Sequence, residues 1–380
     1  MIHLIKKTRA IYSDRWEGGI SMNVAIMGAG LSGLCCAITL ERLGVNPTIY
    51  EKRRIVGDRF INGEAFMSLL TRPIIDPIRY FMEEHQIEIK PVSHIRTMQI
   101  FSENEQATIN GNLGFLNIRG RHPLALENQL ANQVKSPIHF HSEYTYEELL
   151  ETHSHVVLAT GDASYAEKLQ PFKVDTTASL IGATIEGNFD RYTVFIWLNN
   201  RFAPKGYGYL LPFSETEANL VLGYPDNLVQ ANKEELWNEF YNEVCMTLNQ
   251  SLKVTDSFNI SNYIMGTCSF PRIGNTFFVG NCFGSLMPFL GFGQLEAMLT
   301  GIYAAYDICG LGKYEDLVKP IQNSYNDSAT LRHAIEKLGT PMHDIIVKQL
   351  DGYLGKALFQ KTRINPLKVM GFLLRPFVRG

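Results

Sequence analysis

Two glycine-rich turns near opposite ends of this sequence are spaced for chemistry that no single side chain can do. The first is Gly28-Ala29-Gly30-Leu31-Ser32-Gly33, preceded by the apolar run 23–27 and followed by the apolar stretch 34–43. That order reads strand, turn, helix. In such a turn Gly28 permits the tight reversal, Gly30 lets the backbone approach a pyrophosphate, and Gly33 lets the helix pack close to the strand. Phosphates would sit on the helix N-terminus, where free N–H groups and the macrodipole favour negative charge. Residues 44–47 end the helix, Thr48 to Tyr50 supply a second strand, and Glu51 follows Gly33 by 18 residues, placed to accept from ribose hydroxyls. This predicts a dinucleotide site, against the alternative of a glycine turn without a ligand.

The second turn lies at Gly280-Asn281-Cys282-Phe283-Gly284, after the apolar run 276–279. It continues through Pro288-Phe289-Leu290-Gly291-Phe292-Gly293 into a helical stretch at 294–305. This segment resembles the flavin-contacting signature of the para-hydroxybenzoate-hydroxylase-fold flavoproteins, and in pattern the geranylgeranyl reductase-like enzymes among them. The resemblance implies FAD as the dinucleotide. It implies that the residue after the first glycine bonds the ribityl chain and that the later G-x-G faces the isoalloxazine ring; the corresponding positions here are Asn281 and Gly291-Phe292-Gly293. The family has Asp where this chain has Asn281, and the amide loses the charge-assisted bond. The run at 155–162, with Gly161 at its turn, resembles the family segment that closes the nucleotide sheet. Arg119, with Arg121 as second choice, matches the family arginine that approaches the FAD phosphates or the flavin; a surface pair is the alternative. Leu31, Ser32, Lys52 and Arg59 complete the predicted cofactor set. Many relatives carry a flavin-facing cysteine in the loop after the second strand, and residues 56–63 hold none.

Between residues 179 and 224 the pattern changes to strands rich in aromatic and β-branched residues, at 192–198, 206–213 and 218–224. Residues 97–118 read as a hairpin that joins the same antiparallel sheet. The stretch Ala203-Pro204-Lys205-Gly206-Tyr207-Gly208-Tyr209 resembles a family segment over the flavin, which makes Trp197, Tyr207, Tyr209 and Phe213 candidate walls of an apolar substrate chamber. Ordinary sheet core is the alternative for each.

The positioning elements therefore predict an α/β fold: a Rossmann-like, discontinuous FAD-binding domain (22–75, 105–165 and 268–310), an antiparallel β-sheet substrate domain (76–104 and 166–267) and a helical C-terminal region (311–380). Residues 1–21 read as an N-terminal extension, with Met22 as an alternative start. Lys and Arg number 35 against 38 Asp and Glu, for a formal charge of −3, which excludes the basic footprint of a nucleic-acid binder. The six cysteines form no C-x-x-C pair and the ten histidines no metal spacing, so no metal is expected, and a cytoplasmic setting fits. Residues 340–380 hold seven basic and two acidic side chains among apolar ones, a net of +5, so peripheral membrane contact through this tail is an expectation. The absence of a second G-x-G-x-x-G implies that NAD(P)H binds transiently or that a donor protein supplies electrons. The leading reading is hydride transfer between flavin and a small apolar, isoprenoid or lipid-like substrate. An aromatic or polyketide monooxygenase using NAD(P)H and O₂, and a non-catalytic flavin-binding subunit, remain the alternatives. No side chain stands out as catalytic acid or base.

Overall fold

In a computed structural model, residues 22–226, 232–337, 339–352, 355, 358 and 359 are described. The 1–21 extension and most of the basic tail lie outside them. A six-stranded sheet forms one layer, in spatial order Arg272–Ile273, Thr276–Phe278, His155–Leu158, Val24–Met27, Thr48–Tyr50 and Ile138–His139. Its strands pair in parallel except at the Arg272–Ile273 edge. Parallel strands covered by helices on both faces are buried throughout, and Val24, Ala25 and Ile26 are each fully inaccessible. Helices Leu31–Arg42 and Gln294–Ile308 pack side by side against this layer. They approach so closely that a Cβ at Gly301 would lie 2.0 Å from the Ser32 carbonyl oxygen.

The second layer is an eight-stranded sheet, in the order Lys253–Cys268, Phe172–Glu186, Glu217–Pro225, Tyr207–Pro212, Thr193–Trp197, Ser93–Phe101, Gln106–Arg119 and Asn62–Met67. All neighbours are antiparallel except Ser93–Phe101 beside Thr193–Trp197. The expected strands and the expected hairpin are present here. The domain limits shift: Asn62–Met67, inside the expected 22–75 stretch, and Gln106–Arg119, inside 105–165 although the hairpin reading of 97–118 puts it in the antiparallel sheet, pair with each other at the edge of the large sheet. Asn62–Met67 follows the loop after Thr48–Tyr50 of the nucleotide layer, whereas Gln106–Arg119 follows the turn after Ser93–Phe101 in its own sheet. One face of the sheet buries Trp197, Phe195, Leu220 and Leu222 against helix Lys233–Leu248.

After Gly310 the described residues form the helices Tyr314–Glu336 and Thr340–Leu350. Leu358 and Phe359 are two of the apolar residues of the basic tail, for which a helix packed on the body is the alternative to membrane contact. Both pack against the core of the large sheet, where the Arg72 guanidinium donates to their carbonyl oxygens at 2.7 and 2.9 Å. No helix among the described residues is long and apolar enough to cross a membrane.

One histidine ties the outer helix Pro77–His85 to the nucleotide layer. His85 is 2% exposed, its Nδ1 lies 3.0 Å from the Tyr306 hydroxyl, and its carbonyl accepts from the Arg42 guanidinium. Burial and then the Arg42 charge push its pKa down to about 4. The folded state therefore binds fewer protons than the unfolded one between that value and about 6.5. Stability is complete above pH 6.5 and falls as the pH drops toward 4, by at most about 3 kcal/mol from this residue. Denaturant titrations across this range should show the loss, and His85→Gln should flatten it; an equal slope in the variant would exclude His85 as the cause.

Candidate functional site

The C-terminal ends of four parallel strands converge on one edge of the nucleotide layer: Met27 leads into Gly28, Tyr50 into Glu51, Leu158 into the 159–161 turn, and Phe278 toward Gly280. Ligands in open α/β sheets bind at this edge. Gly28 has φ +115°, and a Cβ there would meet the Ala159 carbonyl oxygen at 2.3 Å. A Cβ at Gly33 would come within 2.0 Å of the Gly28 oxygen, whereas around Gly30 nothing lies within 4 Å. Two of the glycines are thus packed and the middle one faces open space, an arrangement that leaves room for a phosphate against the N-terminus of helix Leu31–Arg42. Glu51 is fixed beside this turn, with its carboxylate accepting from the Ala29 N–H at 2.7 Å and from the Arg53 N–H at 2.9 Å. Leu31 and Ser32 are buried under the turn, and Lys52 is exposed at its rim.

The second glycine turn reaches the first. Gly280 has φ +60°, and a Cβ on it would lie 2.6 Å from the Ser32 hydroxyl. Its N–H donates to Thr300 Oγ1 at 2.9 Å. Asn281 then bridges three segments: its amide donates to the Gly161 carbonyl and to the Tyr263 hydroxyl, each at 2.9 Å, and its oxygen accepts from Ser285 at 3.0 Å. A carboxylate here would set its oxygen against the Gly161 carbonyl, which gives the amide a physical reason. Cys282 is fully buried and its thiol donates to the Asp162 carbonyl at 3.0 Å. Burial pushes its pKa up to about 11, so it packs as an inert thiol. Among the described residues no group of His, Cys, Asp or Glu could hold a metal.

Beyond the second turn, an open chamber of about 1320 Å³, solvent at its mouth included, separates the two layers. Gly291 and Phe292 border it on the nucleotide side, and Asn62, Gly63 and Ala65 on the sheet side. Tyr207 and Tyr209 form its wall, their rings 5.9 Å apart. The Tyr207 hydroxyl donates to the Leu290 carbonyl, and Tyr209 donates to Asn62 Oδ1 at 3.2 Å. Burial raises both phenols above their ordinary pKa, so both keep their protons. Arg332 also lines the chamber, held by Glu336 at 2.7 Å and by the Lys205 carbonyl.

Two of the four expected wall residues are elsewhere. Val194 and Ile196 face the chamber, so the alternate residue Trp197 faces the opposite side of the sheet. It is 1% exposed, stacked between Phe101 and Phe195. Phe213 lies past the end of its strand, buried beside Gly63 and the His122 ring. Arg119 does not point to the chamber either: its guanidinium binds Glu64 at 3.0 Å and Glu127 at 2.7 Å. Burial would lower its pKa, but the two carboxylates override this and raise it. Arg121 pairs with Asp256 at the surface. Arg59 does line the chamber, its guanidinium 4.3 Å above the Phe60 ring and its Nε buried with no hydrogen-bond partner. Gly161 has φ +82° with open space around it, and Gly293 begins the Gln294–Ile308 helix. Sequence reading missed Asn62, Glu64 and Tyr263; only the adjacency of Asn62-Gly63-Glu64 to the predicted cofactor loop carried a signal.

The family model for an NAD(P)-binding Rossmann-like domain matches residues 26–64. No curated protein sequence matches the chain. Solved structures do. A geranylgeranyl bacteriochlorophyll reductase-like protein from Thermoplasma acidophilum superposes with TM-score 0.71 at 15% identity, over 92% of this chain and 96% of that one. The flavin-dependent brominase Bmp2 gives 0.66 at 12% identity, over 94% and 98%. A 2-methyl-3-hydroxypyridine-5-carboxylic acid oxygenase gives 0.57 at 14%, over 90% and 96%. These likenesses establish the fold, nearly end to end, and agree with the two-layer architecture predicted from the sequence.

The Asn281 bridge has a measurable consequence. Asn281→Asp replaces the donor that faces Gly161 by an acceptor, at a cost of about 1 kcal/mol. The urea midpoint should fall with the m-value unchanged, and an unchanged midpoint would show that the bridge contributes nothing.

Proposed function

We propose that this chain, whose fold is shared with a reductase-like protein, flavin-dependent halogenases and an oxygenase, binds FAD and is an oxidoreductase acting on a small, largely apolar substrate. The observation that carries the reading is the meeting of its two glycine turns at Ser32, with a chamber opening directly beyond the second turn. The residues fit the cofactor. Gly30 leaves space for the pyrophosphate, Glu51 offers acceptors to the ribose, Asn281 lies where the ribityl chain would pass, and Gly291 and Phe292 border the chamber where the ring system would lie.

Bound flavin supplies a two-electron acceptor or donor, which the side chains lack. The chain's own part is to orient the reactants and exclude water. Apolar walls such as Leu180, Leu211, Ile260 and Met265 favour an apolar substrate. Tyr207 and Tyr209 present neutral hydroxyls, and the charges of Glu64 and Arg332 are held by Arg119 and Glu336. Hydride transfer between flavin and an isoprenoid or lipid-like substrate is the finer reading. NAD(P)H as a transient donor or a donor protein would supply electrons, and contact of the basic tail with a membrane would deliver such a substrate. The fold shared with an oxygenase keeps flavin-dependent hydroxylation as the second reading.

Purified protein should be yellow or take up FAD, and NADPH consumption should be the same with and without oxygen. Obligatory oxygen uptake with a hydroxylated product would select the oxygenase reading; protein that neither holds nor reduces flavin would end the oxidoreductase reading. The glycine roles separate in a second test. Gly30→Ala should leave the melting temperature of the flavin-free chain unchanged and weaken FAD roughly tenfold or more, whereas Gly33→Ala should lower the melting temperature itself. Equal effects of the two would contradict the assignment of Gly30 to the phosphate.

A further inference from the structure

We propose that Arg59 anchors the substrate by a carboxylate, so that the chamber takes a molecule with an apolar body and one acidic group. That the bound acid is the substrate rests on the proposed function; that it binds here rests on the lining. Arg59 borders the chamber, and its Nε is buried with no hydrogen-bond partner. The two carboxylates nearest to it in sequence are taken, Asp58 by Arg54 at 3.1 Å and Glu64 by Arg119 at 3.0 Å, and among the described residues Arg59 forms no ion pair. Arg332, the other cation of the lining, is held by Glu336 and by the Lys205 carbonyl. A guanidinium with an N–H buried away from any acceptor costs free energy that a carboxylate would recover.

The anchor is held in place by aromatic rings. The guanidinium lies 4.3 Å from the centre of the Phe60 ring, and that ring stacks at 4.2 Å on Phe258, from the strand Lys253–Cys268. Both rings border the chamber. Burial raises the pKa of Tyr209 and the Arg59 charge partly offsets it, which places the guanidinium within electrostatic reach of that hydroxyl. Asn62 stands at the same hydroxyl, with Oδ1 accepting from Tyr209 at 3.2 Å, so its amide nitrogen remains as a second donor. The side-chain groups left to a ligand here are therefore donors, because the acceptors, Glu64 and Asn62 Oδ1, are engaged. A group that only accepts, a carboxylate, matches them, whereas a primary amide would set N–H groups against N–H groups. Leu180, Leu211, Ile260 and Met265 leave the rest of the ligand an apolar wall.

Titration of the full chain, with and without FAD, with 2-naphthoate and with its neutral isostere 2-naphthamide tests the proposal. At constant ionic strength wild type should bind the acid roughly tenfold more tightly than the amide. Arg59→Met, which keeps an unbranched stem against the Phe60 ring, should abolish the preference and leave both FAD uptake and the melting temperature unchanged. Arg121→Met, which removes a surface charge, should keep the preference, and so should the FAD-loaded protein. If the chain takes up no FAD and the preference stands, the oxidoreductase reading fails and the acid site remains. No detectable binding of the acid, equal binding of the two probes, a preference that survives Arg59→Met or is lost in Arg121→Met, expulsion of the acid by FAD, or weaker FAD binding in Arg59→Met overturns the proposal.

Discussion

The close approach of two helices at Ser32 is the constraint on which the rest depends. Gly301 presses on the Ser32 carbonyl, Gly280 on the Ser32 hydroxyl, and Gly33 on Gly28. None of these contacts tolerates a Cβ. Because the backbones touch, the two glycine turns face one strip of the sheet edge, although they lie near opposite ends of the chain. A dinucleotide laid along that strip would run from the first turn to the second, and the chamber opens where it would end. The intervening substrate sheet is free to be long because it enters between strands of a layer that is already closed by this contact.

The chamber walls follow from strand parity. Successive side chains point to opposite faces, so one register decides several residues at once. In Thr193–Trp197 the register turns Val194 and Ile196 to the chamber and leaves Trp197 in the core with Phe240. In Tyr207–Pro212 it turns both tyrosines to the chamber, while Gly208 on the other face makes space for the Phe240 ring, which a Cβ would meet at 2.4 Å. The aromatic character of these strands was visible in the sequence, but their phase was not. Phase is set by pairing with strands distant in sequence, such as Glu217–Pro225 opposite Phe172–Glu186.

The nucleotide end was legible because its signals are local. Strand, glycine turn, helix and terminal acid are written within residues 23–51, and each glycine has a steric role that follows from its position. Arg119 shows where such reading stops. Its place after a strand matched an expected cofactor contact, yet the partners that claim it are Glu64 on a neighbouring strand and Glu127 on a following helix. Asn281 shows the converse. Read against the usual aspartate it looked like a weakened ligand, and only its two acceptors, Gly161 and Tyr263, explain why an amide is needed.

The distribution of charge around the two cavities sharpens what can enter them. At the chamber, Glu64 and Arg332 are each held by an opposite charge, and apart from Arg59 and Asn62 the lining is aliphatic or aromatic with neutral hydroxyls. Burial would penalise an unpaired ion there, so pairing these groups keeps the wall rigid and electrically quiet. Arg59 is the contrast, since its Nε is buried without a partner and its guanidinium rests on an aromatic face. An arginine so placed retains donor capacity beside the chamber. Under the proposed function it would add a charged donor to a wall that otherwise offers shape, apolar area and neutral or paired polar groups.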